Sequence, residues 1–256
     1  MQISTINVAS VRARLPVLER WLIENPVDVL AIQETKVEDE KFPRDAFENL
    51  GYHVALNGQK AWNGVALLSK AEPLDIQRGF GHPDMPEDAR IIAATIDGIR
   101  VVNTYVPNGN AVGNEKWLYK MKWLETFQSF IAEQSANKDT IWLGDINIAP
   151  QPHDVFDSPK LLGSVGHHPD EFSRLTNILS VGLIDLFRIH NFEPGQYTFW
   201  DFVIPGAVAR GLGWRIDHIY ATESLAEKCS SCVIDKEPRL WERPSDHTFV
   251  TATFDL

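Results

Sequence analysis

The apolar residues change period along the chain, and the changes mark the elements. Residues 3–7 hold Ile3 and Ile6 in a strand-like run that ends on Asn7. Residues 14–25 switch to helical spacing. Leu15, Leu18 and Leu22 share one face, Pro16 falls in the expected first turn, and Asn25-Pro26 is a stop. Residues 27–33 form a short apolar run with one Asp that stops at Glu34. The same order returns later, with strands at 99–105 and 140–143 around a helix at 115–134. There Trp117, Met121, Leu124 and Ile131 keep the helical spacing, and Gly144-Asp145-Ile146-Asn147 follows the last strand. A right-handed strand–helix–strand crossover collects polar groups at the carboxyl ends of its two strands. The pattern therefore predicts Asn7 beside Glu34, and Tyr105 beside Asp145.

Between the two units, residues 54–56, 64–69 and 91–96 read as antiparallel strands. Phe172, Leu175 and Leu179 mark a helix after Asp170 that Gly182 ends. Further strands are expected at 195–202, 215–221 and 249–254. This is more strand than a doubly wound fold uses. It suits two sheets packed face to face with helices outside. No Pro/Ser linker, low-complexity tract or short repeat divides the chain, so residues 1–256 are expected to form a single domain.

Composition narrows the class. With 44% apolar and 23% charged residues over 256 positions, the chain is an ordinary globular protein, not a disordered, collagen-like or coiled-coil one. The 24 basic and 35 acidic residues leave a net charge of −11, which argues against a protein that coats nucleic acid non-specifically. It leaves room for a local basic cleft, and metal-binding carboxylates would add to the negative balance. Two cysteines make no disulfide framework. No apolar run is long enough to span a membrane, and the first residues lack leader features, so a cytoplasmic location is expected.

The candidate chemistry sits at strand ends. Asp145 and Asn147, two residues apart, face the same side; an Asx turn would account for that pair alone. Glu34 ends an apolar strand and suits a hard cation, or simply starts a loop. Asn7 has the same two readings. Pro244-Ser245-Asp246-His247 precedes the last strand, and Asp217 in Arg215-Ile216-Asp217-His218 is a natural partner to fix the His247 tautomer and raise its pKa. Together these residues supply carboxylates for a divalent cation, amides for a phosphate and an Asp–His pair. No Gly-x-Ser-x-Gly elbow, Walker A loop or Gly-x-Gly-x-x-Gly occurs. The inventory suits metal-assisted attack of water on a phosphodiester.

At this point a resemblance emerges. It is carried by Ile6-Asn7-Val8, Ile32-Gln33-Glu34-Thr35-Lys36, Asn63-Gly64-Val65-Ala66 and Asn103-Thr104-Tyr105-Val106-Pro107-Asn108-Gly109. It continues through Gly144-Asp145-Ile146-Asn147, Tyr197-Thr198-Phe199-Trp200, Gly213-Trp214-Arg215-Ile216-Asp217 and Pro244-Ser245-Asp246-His247. In this order, across nearly the whole chain, they resemble the exonuclease III family of DNA-repair nucleases, within the endonuclease/exonuclease/phosphatase superfamily. The resemblance implies a four-layer α/β sandwich, two packed mixed β-sheets flanked by helices. It implies Mg²⁺ or Mn²⁺ held by Glu34, Asn7 and Asp246. Asp145, Asn147, Tyr105, Asp217 and His247 would be catalytic, and the products a free 3′-OH and a 5′-phosphate.

The implied substrate is double-stranded DNA, cut 5′ to abasic sites or degraded and unblocked from 3′ ends, by a monomer. Phe199, Trp200 and Trp214 fall in the aromatic region that walls the abasic-sugar pocket in that family. Of the adjacent Phe199 and Trp200, one should point in and the other out. Lys116 and Lys120, one helical turn apart, and Arg90 are candidate phosphate contacts. The same fold acting on RNA or on a small phospho-ester is the alternative, and an inert DNA-damage scaffold a third reading. Cys229-Ser230-Ser231-Cys232 has zinc-like spacing but no second ligand pair. Two departures from the family pattern stand out. Ala9 replaces a second Asn, and the 203–210 loop carries Pro205 and Gly206.

Overall fold

Both strand–helix–strand units form where the apolar pattern places them. The computed structural model describes residues 1–256. In chain order the elements are β1 (Gln2–Asn7), α1 (Val11–Glu24), β2 (Val29–Gln33), α2 (Arg44–Glu48), β3 (His53–Asn57), β4 (Val65–Ser69), β5 (Leu74–Arg78), β6 (Ile91–Ile96), β7 (Ile99–Tyr105) and α3 (Glu115–Ser135). They continue as β8 (Thr140–Asp145), α4 (Ser158–Leu161), α5 (Pro169–Leu179), β9 (Leu183–Asp185), α6 (Leu186–His190), β10 (Asp217–Thr222), α7 (Glu223–Ala226), β11 (Cys229–Asp235) and β12 (Phe249–Phe254).

The strands make two six-stranded sheets, ordered β11-β12-β1-β2-β4-β3 and β5-β6-β7-β8-β10-β9. Each is built on one parallel pair, β1–β2 or β7–β8, and every other neighbour is antiparallel. The two sheets thus share one plan, a crossover unit flanked by hairpin-like pairs.

Period-two alternation sorts the side chains into layers. In β2, Val29 and Ala31 face the second sheet, while Leu30 and Ile32 face α1 with its Leu18, Trp21 and Leu22. In the second sheet, Val101, Ile141, Leu143 and Ile219 face inward, and Val102 and Trp142 pack under Trp123, Phe127 and Ile131 of α3 and Leu175 and Ile178 of α5. The result is helix, sheet, sheet, helix.

The inward-facing stripes end in polar residues, and this alternation positions the site. Ile3 and Thr5 lead to Asn7, Val29 and Ala31 to Gln33, Val101 and Asn103 to Tyr105, and Ile141 and Leu143 to Asp145. Register aligns them, with Asn7 opposite Gln33, Tyr105 opposite Asp145, and Asp145 opposite Asp217. Just beneath, Gln33 Nε2 donates to Thr5 Oγ1 and to Asn103 Oδ1 at 2.7 Å, and Asn103 Nδ2 donates to the carbonyls of Ile32 and Ala66. This polar tie joins the two sheets where the apolar core stops.

Several expected elements shift. Helix α1 begins at Val11, so Pro16 lies in its second turn. The expected strand at 195–202 is an irregular segment held by isolated bridges from Phe199 to Trp214 and to His247. β10 opens at Asp217, two residues after the start of the expected strand at 215–221. Cys229 and Cys232 lie within the edge strand β11, both buried and unpaired. No helix is long and apolar enough to cross a membrane.

Candidate active site

The ends of β1, β2, β7, β8 and β10 and the turn before β12 converge on one edge between the sheets. Glu34 leaves β2 with a φ of 53°, a left-handed conformation that a side chain of this kind seldom adopts, and Asn147 leaves β8 with the same φ. Such strain persists where the surroundings over-determine it, as at functional sites. Gly144 has a φ of +133°, and a Cβ there would lie 2.1 Å from the Thr104 carbonyl, so only glycine lets β7 and β8 approach here.

Asn7 is the hub. Its Nδ2 donates to Glu34 Oε1 at 2.9 Å and to Asp145 Oδ2 at 2.8 Å, and its Oδ1 accepts from the Ala9 amide. Ser245 Oγ donates to the Asn7 carbonyl and fixes the turn that carries Asp246 and His247. His247 Nδ1 pairs with Asp217 Oδ2 at 2.8 Å, and its Nε2 lies 3.8 Å from Asp145 Oδ2. Thr198 Oγ1 accepts from the amides of Ile216 and Asp217 and seats the start of β10. Asp145 Oδ1 accepts the Asn147 amide, and the Asn147 side chain is held by the Val106 carbonyl and Asn108 Nδ2.

Crowding of buried carboxylates sets the electrostatics. Burial, with Asp217 and Glu34 nearby, raises Asp145 to about 7 despite the cation at His247. Burial opposes charge on His247, but Asp217 and Asp145 outweigh it and lift the imidazole to about 10. Burial would raise Glu34 as well, yet hydrogen bonds from Lys36 and Asn7 hold it below its usual value. Burial and the Glu34 and Asp145 carboxylates push the Tyr105 phenol well up, so it keeps its proton.

The donor set fits a hard divalent cation. Oxygen atoms of Asp145 and Asp217 lie within 4.8 Å of one another beside the His247 ring, and Asp217 Oδ1 is buried with no hydrogen-bond partner. Glu34 adds a half-buried carboxylate on the other side of Asn7, its Oε2 2.8 Å from Lys36 Nζ. Asp246, also half-buried, accepts from Ser245 Oγ.

The flanking residues divide. Phe199 packs 4.9 Å from the His247 ring and is half-buried. Trp214 is half-buried against Gly166 and His167. Arg90 lies over the Tyr105 ring and donates to the Tyr105 carbonyl. Lys116 is exposed on α3. Two expectations fail. Trp200 points into a small core with Tyr197 and Ala207, because alternation turns it away when Phe199 faces the site. Lys120 is fully enclosed and paired with Glu171, so it cannot reach a DNA backbone. Lys36, Asn108 and Ser245 are site residues that sequence reasoning did not single out, although each stood in a quoted stretch.

The pattern of the endonuclease/exonuclease/phosphatase family covers residues 4–247. The chain belongs to that family. It is 33% identical to the exodeoxyribonuclease III of Haemophilus influenzae, over 99% of this chain and 100% of that one. Among solved structures it is similar to an AP endonuclease from Archaeoglobus fulgidus, with TM-score 0.96, 43% identity and 100% of both chains covered. The 3′ phosphatase NExo from Neisseria, bound to a product DNA hairpin, also matches with TM-score 0.96, at 39% identity over 100% of both chains. The paired six-stranded sheets with outer helices are the fold of these nucleases.

Proposed function

We propose that this chain is a divalent-metal-dependent phosphodiesterase of DNA repair. It cuts duplex DNA 5′ to abasic sites, or removes nucleotides and blocking groups from 3′ ends, and leaves a 3′-OH and a 5′-phosphate. One observation carries the reading: Glu34, Asn7 and Asp145 are hydrogen-bonded in a row at one edge of the sandwich, with the buried His247–Asp217 pair 3.8 Å from Asp145. We read residues 1–256 as one nuclease domain, acting as a monomer.

Glu34, with Asn7 beside it and Asp246 in the turn that Ser245 ties to Asn7, would hold Mg²⁺ or Mn²⁺, and Asp145, bonded to the same Asn7 amide, is near enough to share in this. The cation supplies Lewis-acid stabilisation of charge on the phosphate oxygens and a template for in-line attack. The protein's own groups do the rest. Asp145, lifted to about 7, is a carboxylate able to accept a proton from the attacking water near neutral pH. His247, its imidazole pushed up by Asp217 and Asp145, donates to a phosphate oxygen. Asp217 keeps Nδ1 protonated and turns Nε2 toward the substrate. One Asn147 amide hydrogen is used on the Val106 carbonyl, and the second is left for a phosphate oxygen. Water oxygen bonds to phosphorus, the bond from phosphorus to the 3′ oxygen breaks, and that oxygen takes up a proton. Tyr105, protonated and beside Glu34 and Asp145, is placed to contact the phosphate or the leaving oxygen. Phe199 and Trp214 would wall the sugar pocket, and Arg90 and Lys116 would meet backbone phosphates.

Two end-labelled duplexes test this, one with a single internal abasic analogue and one intact. Each is incubated with Mg²⁺, with EDTA, and with Glu34→Ala and His247→Ala variants. A metal-dependent cut 5′ to the lesion, lost in both variants, is the expected result. Laddering of both duplexes from their 3′ ends assigns the main role to exonuclease. Absence of cleavage in a folded, metal-loaded protein refutes the DNA reading and leaves RNA or small phospho-esters.

A further inference from the structure

Lys120 is the only buried lysine of the chain, and its ammonium has no solvent contact. An ammonium has three hydrogens to donate. Here they go to the Asn108 carbonyl at 3.1 Å, the Asn147 carbonyl at 2.9 Å and Glu171 Oε1. The second Glu171 oxygen accepts the amides of Gly166 at 2.8 Å and His168 at 3.1 Å. The pair therefore ties helices α3 and α5 to three loops at once. Two of those loops meet again above it, where Asn108 Nδ2 donates to Asn147 Oδ1. Packing is close, since a Cβ at Gly109 would lie 3.2 Å from Lys120 Cδ.

A pair kept for stability alone would not be built this way. Burial pushes Lys120 below its ordinary value and Glu171 above, so desolvation outweighs their mutual attraction in both partners. What the pair does supply is a fixed point beneath Asn147, the residue held at a left-handed φ of 53°. The geometry points to Lys120 as a positioning residue: with Glu171 it locks the Asn147 turn from behind, so that the amide meets the phosphate without rearrangement. This rests on Asn147 as the phosphate-contacting amide proposed above. Misplacing such a group by about 1 Å costs on the order of 10²-fold in rate.

The test must separate positioning from folding. Lys120→Met alone leaves a buried, unpaired Glu171 and lowers the melting temperature. Lys120→Met with Glu171→Gln removes both charges yet keeps an acceptor for the Gly166 and His168 amides. This double variant is expected to melt above the Lys120→Met single variant, with kcat down about 10²-fold and KM nearly unchanged. Hydrogen exchange at residues 145–149 should be at least about tenfold faster. In an Asn147→Ala background the same two changes should cost less than about twofold, because the residue they act through is gone. Wild-type kcat in the double variant, unchanged exchange at 145–149, or a full-sized loss in the Asn147→Ala background would each overturn the inference. If the wild-type protein cuts no DNA, the proposed function fails instead, and the exchange measurement alone decides whether Lys120 locks the turn.

Discussion

Asp217→Asn probes the most enclosed ion pair of the site. The Asp217 carboxylate meets His247 Nδ1 at 2.8 Å, with both residues buried. Asparagine keeps the shape, and the backbone amides of residues 216 and 217 keep their bonds to Thr198 Oγ1. The loss is one charge-assisted hydrogen bond, about 1.5–3 kcal/mol. If all of it acts in the transition state, the rate falls by about 10- to 150-fold. A second effect depends on pH. Burial drives His247 toward its neutral form, and Asp217 is the strongest of the groups that lift it to about 10. With Asp217 neutral, only Asp145 and Asp246 oppose burial, and the imidazolium deprotonates at a lower pH. The rate deficit should therefore widen as pH rises through neutrality.

Stability follows the same sign. The folded-state value of about 10 lies above the unfolded value of about 6.5. The pair thus stabilises the fold fully below about pH 6.5, and that stabilisation is lost as pH rises through about 10. The variant's deficit in melting temperature should be largest in acid and shrink toward pH 10. Single-turnover cleavage of the abasic duplex and thermal melts, each across about pH 5.5 to 9.5, read both effects. A variant within about threefold of the wild-type rate at every pH, with the same alkaline limb, would refute the view that Asp217 sets the His247 charge.

Three further outcomes follow from the same geometry. Glu34→Gln removes the carboxylate nearest Asn7, and a metal titration of cleavage should show half-saturation at an Mg²⁺ concentration at least about tenfold higher. Lys116→Ala should weaken duplex binding equally for all sequences and reduce the slope of log K against log salt by about 1, measured by fluorescence anisotropy. Arg215→Met removes the guanidinium that bridges the buried Asp154 and half-buried Asp185 at 2.7 Å each, and leaves Asp154 only its pair with Arg188. The loss should be about 3–5 kcal/mol, seen as a fall of about 6–20 °C in a circular dichroism melt.

Much of the site was legible because alternation and polar strand ends are local signals. Ile3 and Ile6 before Asn7, and the apolar run before Asp145, place those residues at carboxyl ends, and the crossover rule makes the strands neighbours. The pairing of Asp217 with His247 also follows from residue chemistry, although the two are joined only through tertiary structure. Burial of long side chains was not legible. Lys116 and Lys120 look alike in sequence, one turn apart on a helix, but α5 covers only the second. β5 escaped notice because this exposed edge strand carries only two apolar residues, Leu74 and Ile76, too short an alternation to stand out. β11 carries its buried residues at Cys229 and Cys232, around an irregular register. The segment 195–202 misled for the opposite reason: its aromatics look like a strand, yet only Phe199 forms bridges to its neighbours.

The site is not grafted onto one sheet but made by two. The first sheet and the turn leading into β12 supply Asn7, Glu34 and His247; the second supplies Tyr105, Asp145 and Asp217. The hydrogen bonds from Asn7 to Asp145 and from His247 to Asp217 cross from one sheet to the other. So does the buried tie from Gln33 to Asn103 below them. Packed cores do not deform continuously, and a hydrogen bond at 2.8 Å weakens steeply when its partners slide. Docking of the sheets and assembly of the site are therefore one event. A substitution deep between the sheets, such as at Leu143 or Ile219 two residues below Asp145 and Asp217, acts on the chemistry by the same displacement through which it acts on the fold.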